Sequence, residues 1–141
     1  MKNIEVIKLN ALRANIANHS MNTSFAEKQI RLYEMFLSLI KKYPNMSLVP
    51  TTEIDKVWHY HIRQWDLYRK DCSDIFGYIV RHKRAVSITD KATVAKNYGL
   101  TNQLWYLGFN SKMGSLSKMA ACGVDGDDGV SGPDDRTAFV P

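Results

Sequence analysis

Ile54, Val57, Trp58, His61, Ile62, Trp65 and Tyr68 recur at the spacing of one helical face. A stripe this wide cannot face water over its whole length, so the helix that carries it must pack against others. Thr52-Glu53-Ile54-Asp55 opens that helix with a capping-box pattern, aspartate standing where glutamate is usual. The periodicity carries it to about Lys70.

A second stripe precedes it. Ile30, Tyr33, Phe36, Leu37 and Ile40 follow Ser24-Phe25-Ala26-Glu27, itself a capping box. Lys41-Lys42 suit the carbonyl end of a helix, and Tyr43-Pro44 ends it. Residues 1–20 are ambiguous, although Leu9, Leu12 and Ile16 fit a short helix. Further on, Ser73-Asp74 starts a shorter helix through Phe76, Ile79 and Val80 to His82. Thr89-Asp90 caps another to Tyr98, with Gly99 as its stop, and Thr101 caps a last piece to Phe109. Alternating strand patterns are scarce. The expectation is an all-α, single-domain bundle of about four to five helices with a flexible C-terminal tail. Its parts would be an N-terminal segment of uncertain structure (1–20), a helical domain (21–110), and a loop with an acidic Gly/Asp-rich tail (111–141).

The charge is uneven. Residues 122–141 hold five aspartates against one arginine, a local charge of −4, which leaves +9 on the body of the +5 chain. Such a body can attract nucleic acid, an anionic ligand or a protein partner, or be screened by its own tail. The plain reading, lysines that coat a solvated surface, is the stronger one, for no basic stripe or nucleic-acid motif accompanies them. Two distant cysteines make no disulfide framework and point to the cytoplasm. No apolar run of membrane length is present, and Met1-Lys2-Asn3-Ile4-Glu5 lacks a signal-peptide core.

Chemistry concentrates between residues 55 and 82. His59, His61, Cys72, His82 and Asp55 are residue types that bind zinc or iron, and Trp58, Trp65, Tyr68 and Asp71 are placed to line or orient such a site. On a regular helix His59 and His61 lie roughly 160° apart and cannot share one ion. His59 sits one turn after Asp55, an i, i+4 pair able to grip a metal from one face. His61 lies in the apolar stripe, either as a buried hydrogen-bonded imidazole or as a ligand at the floor of a pocket. Cys72 would lie about 16 Å beyond His61 on a continuous helix. Convergence therefore needs a break near Asp71 that folds Cys72 and His82 back. Without one, Cys72 is a small buried hydrophobe.

Other sites are weaker. Asp125-Gly126-Asp127-Asp128-Gly129 lacks two oxygen ligands of a calcium loop. Nothing near Cys122 would activate its thiol, and no P-loop, dinucleotide fingerprint or nucleophile elbow occurs. No catalytic residue is assigned.

Asp55, Trp58-His59, His61, Tyr68, Asp71-Cys72, Phe76-Gly77 and His82 together resemble the motif D-x-x-W-H-x-H, Y-x-x-D-C, F-G and histidine of the glycine-rich domain-containing protein-like family. The resemblance is close over residues 50–84 and looser around the preceding helix and residues 98–105. It implies a small helical domain, alone in bacterial members and joined to other modules in plants, and brings no settled activity with it. Taken together, these features point to a helical domain that binds zinc, with iron as runner-up, or a small ligand. The alternatives are a non-catalytic protein- or nucleic-acid-interaction module in which the same residues form a structural polar network, and a thiol enzyme built on Cys72.

Overall fold

The structure is a computed structural model that describes residues 4–18, 25–84, 88–114 and 122–124. Among the described residues, five helices and two short strands follow one another: α1 (Asn10–Asn18), α2 (Glu27–Lys42), α3 (Thr52–Arg63), α4 (Trp65–Phe76), β1 (His82–Arg84), α5 (Ile88–Phe109) and β2 (Cys122–Val124). The helical bundle anticipated from periodicity is the architecture observed.

One core joins them. Leu12 and Ile16 of α1, Tyr33, Phe36, Leu37 and Ile40 of α2, and Ile54, Val57, Trp58 and Ile62 of α3 are buried together with Tyr68 of α4 and Trp105 of α5. Residues 4–9 form no regular element, and Ile4, Ile7 and Leu9 pack on this core. Their amides are satisfied in turn by Gly108 O (from Ile4, 3.2 Å), Ser38 Oγ (from Ile7, 2.8 Å) and Glu34 Oε2 (from Leu9, 2.7 Å). Glu34 is fully buried and also accepts from the Arg13 guanidinium, which clamps α1 onto α2.

The helix boundaries differ from the sequence expectations in instructive ways. Helix α2 begins at Glu27 with Ala26 as its N-cap and no side-chain cap. Glu27 therefore cannot act as the third residue of a capping box; its carboxylate pairs with Arg13 at 2.6 Å. Ser24 lies outside the described residues. Helix α3 is capped by Thr51, one residue earlier than expected, whose Oγ accepts from the Ile54 amide at 3.3 Å. This frees Asp55 from capping.

The long stripe helix is two helices. At Gln64 the backbone leaves helical geometry (φ −84°, ψ 67°), and this residue ends α3 while starting α4. No fold-back occurs near Asp71. Helix α4 continues to Phe76, where Gly77 takes the left-handed conformation at φ +83°. Its amide bonds Cys72 O and Ser73 O, both at 3.1 Å, in a glycine C-cap. The chain reverses there, six residues beyond Asp71, so residues 79–82 are not helical. His82 instead opens β1.

Gly99 does not stop a helix. Helix α5 runs through it for 22 residues. An exposed helical glycine costs only about 1 kcal/mol relative to alanine, and burial of Thr101 and Trp105 on the core outweighs that. Thr101 Oγ1 also accepts from the Val49 amide at 2.9 Å, tying α5 to the connection before α3. The tail expected from Gly123 onward lies outside the described residues, apart from Cys122–Val124. These three form β2, antiparallel to β1 with His82 opposite Val124. Among the described residues no helix is long and apolar enough to cross a membrane.

Candidate metal centre

Helix α3 sets out the site. Asp55 and His59 lie one turn apart on its partly exposed side, while Ile54, Val57 and Trp58 anchor the helix in the core. The segment after Gly77 then brings His82 to the same place. Tyr68 holds that segment: its hydroxyl donates to Val80 O at 2.7 Å and accepts from the Trp58 indole N–H at 3.1 Å.

Three side chains meet as a result. His82 Nε2 lies 2.8 Å from Asp55 Oδ1, His59 Nε2 lies 3.1 Å from Asp55 Oδ2, and the two Nε2 atoms are 3.1 Å apart. Donor atoms of all three residues fall within 4.8 Å of one another. The His82 ring is wholly buried and stands edge-on to Trp58, centroids 4.3 Å apart. His59 is partly exposed, so the cluster opens to solvent on that side. Burial would raise the Asp55 carboxyl pKa. Hydrogen bonds from His59 and His82, and their positive charge when protonated, outweigh burial and hold it at about 2. Asp55 is thus a permanent anion facing two imidazole nitrogens.

His61 belongs to a second, separate network. Its Nε2 lies 2.8 Å from Asp71 Oδ2 and its Nδ1 lies 2.7 Å from the Tyr33 hydroxyl. Burial lowers the His61 pKa against the pull of Asp71. The ring is therefore neutral, with Nε2–H donating to Asp71 and Nδ1 accepting from Tyr33. This network binds α2, α3 and α4 together. Both polar ends of His61 are used up in it, which answers how a histidine sits inside an apolar stripe.

Cys72 is in neither group. It is buried on α4 beside the Tyr68 hydroxyl and the Val80 backbone, and burial pushes its thiol up to about 11. That is opposite to the shift an attacking thiolate needs. Trp58 and Tyr68 brace the cluster. Trp65 packs on Tyr68 at 6.1 Å, and Asp71 serves His61. Of the five candidate ligands, the structure brings together Asp55, His59 and His82 and keeps His61 and Cys72 apart.

Tyr33 and Glu34 had no place in the sequence-based site. Tyr33 read as one more apolar contact of α2. Glu34 carried a signal that could have been used, for it is an acidic residue between Tyr33 and Leu37 on the buried face.

The segment with Asp55, Trp58, His59 and His61 also carries a family signature. Residues 4–65 match the glycine-rich domain-containing protein-like family. This is the family that the histidine motif resembles. The family match spans α1, α2 and α3 and ends before Tyr68, Asp71, Cys72 and His82. Two of the three clustered ligands thus lie inside it and the third lies outside. Among curated proteins and solved structures, none matches the chain.

Proposed function

We propose that Asp55, His59 and His82 bind a divalent transition-metal ion, zinc first. The observation that carries this reading is the meeting of two imidazole Nε2 atoms and one ionised carboxylate at mutual distances of 2.8–3.1 Å. Zinc bonds of about 2.0–2.1 Å at tetrahedral angles put neighbouring ligand atoms about 3.3 Å apart. The closest approaches use both Asp55 oxygens, and one ligand atom from each residue lies within 4.8 Å of the other two, a spread that small side-chain shifts bring to that edge. Two neutral imidazoles that both aim N–H at one carboxylate crowd their protons; with a cation between them, both present lone pairs instead.

Two histidines and one carboxylate leave at least one coordination position for water on the solvent side. A zinc-bound water is acidified, and the centre would then have the ingredients of a hydrolytic site. The same donor set suits non-haem iron, the second choice. A cytoplasmic home accords with Cys72 as a free thiol.

A second reading, a non-catalytic interaction module, draws on a different observation. A groove of about 980 Å³ between residues 4–8, α2 and α5 carries Lys8, Lys41 and Lys42 against Glu5. It would suit an anionic partner, with the histidines serving only to hold helices.

Elemental analysis and cobalt substitution of purified protein separate the two. The metal reading expects one equivalent of metal per chain and visible cobalt bands. Both should disappear in Asp55→Asn, His59→Ala and His82→Ala and persist in Cys72→Ala. Folded protein that takes up no zinc or cobalt would refute it and leave the interaction module.

A further inference from the structure

We infer that metal occupancy of the Asp55–His59–His82 cluster and docking of the C-terminal strand β2 are thermodynamically coupled. The inference rests on the metal reading above and adds the regulation of that site.

The three ligands are unequally anchored. Asp55 and His59 are borne by α3, whose Ile54, Val57 and Trp58 are completely buried, so their backbone is fixed by the core. His82 arrives on a three-residue strand at the end of a reversed segment. Its side chain is buried against Trp58 and touches Asp55 and His59, and Val80 before it is held by Tyr68, but the backbone of residues 82–84 lies outside the helices that the core fixes. The described sheet has two strands, and β1 is the one that β2 pairs with. Register places Val124 opposite His82 itself, Gly123 opposite Lys83 and Cys122 opposite Arg84.

A two-stranded ribbon is marginal in water unless something else holds it. Here His82 supplies the hold. A metal that bonds His82 to α3 removes conformational freedom from residues 82–84, so β2 then docks on a backbone already ordered. Linkage makes the effect reciprocal: β2, by ordering the same residues, raises metal affinity by the same factor.

Amide exchange of the full chain, stripped of metal and then saturated with zinc, tests this. Amides of residues 82–84 and 122–124 should slow together by about fivefold or more. Those of Phe36 to Ile40 in α2 should not change. Zinc titration of Gly123→Pro and Val124→Pro provides the reverse test. Alternate residues of an antiparallel strand donate to the partner, so at least one of these removes a ladder donor. That variant should bind zinc more weakly by about the factor seen in exchange, with α2 protection intact. Zinc that slows residues 82–84 and leaves 122–124 untouched overturns the coupling, as does unchanged affinity in both proline variants. A wild-type chain that binds no zinc removes the metal reading and this inference together. Zinc uptake without the two effects removes the coupling alone.

Discussion

Tyr68→Phe is the substitution with the most to teach, because one oxygen atom links the core to the candidate centre. The hydroxyl accepts from Trp58 Nε1 at 3.1 Å and donates to Val80 O at 2.7 Å. Trp58, Tyr68 and Val80 are all at most 3 % exposed, so water cannot replace the lost atom without a rearrangement. Leaving a buried donor or acceptor unpaired costs about 1–3 kcal/mol each. Two such groups, less the relief of no longer desolvating the hydroxyl, give an expected loss of about 2–4 kcal/mol. The ring remains, so its contacts with His61 (4.9 Å) and Trp65 (6.1 Å) need not change. In urea, where small proteins lose about 1–3 kcal/mol per molar, the midpoint should fall by about 1–2 M. The segment carrying His82 would also lose a tether, and supports of this kind are worth about 10–100-fold in metal affinity. The measurement is urea unfolding followed by Trp fluorescence, with zinc titration of the folded variant. A stability loss below about 0.5 kcal/mol, the size of an ordinary surface substitution, would show that the indole and the carbonyl do not depend on this hydroxyl.

Two further outcomes follow from the packing. Gly108→Ala would drive a methyl group into the Ile4 side chain, where the N-terminal segment crosses α5. Alanine favours helix over glycine by about 1 kcal/mol, but overpacking costs about 1–3 kcal/mol. A lowered melting temperature is expected, and Ile4→Ala in the same chain should restore it; a stabilised Gly108→Ala would contradict the contact. The Cys72 thiol, raised from 9.0 to about 11 by burial, makes stability depend on alkaline pH. The unfolded chain releases this proton first, so the contribution is intact below about pH 9. It is lost as pH rises through about 11, amounting to about 2–3 kcal/mol. Denaturant unfolding between pH 8 and 11 should show a steeper fall in the wild type than in Cys72→Ala, which keeps only the part due to tyrosines such as Tyr33 and carries a constant penalty besides.

Much of the scaffold was legible in the chain because helical periodicity is a local property. The stripe of α2 and its stop at Tyr43-Pro44 could be read residue by residue, as could the i, i+4 relation of Asp55 and His59. The break at Gln64 could not: neither proline nor glycine marks it, and the stripe continues in phase on both sides. Nor could the continuity of α5 through Gly99, since a local penalty of about 1 kcal/mol yields to burial of Thr101 and Trp105.

The amino-acid order alone determined that helices would form, which faces they would bury, and that imidazole, thiol and carboxylate groups would be plentiful between residues 55 and 82. Tertiary structure decided which of those groups meet. Thr51 took the cap and released Asp55. Gly77 reversed the chain beyond Cys72, leaving the thiol in α4, and delivered His82 to Asp55 and His59. Tyr33 and Asp71 engaged both nitrogens of His61. The physical reason is one of range. Periodicity acts over a turn or two of chain, whereas the partners of a buried polar atom are whichever groups packing sets within about 3 Å of it.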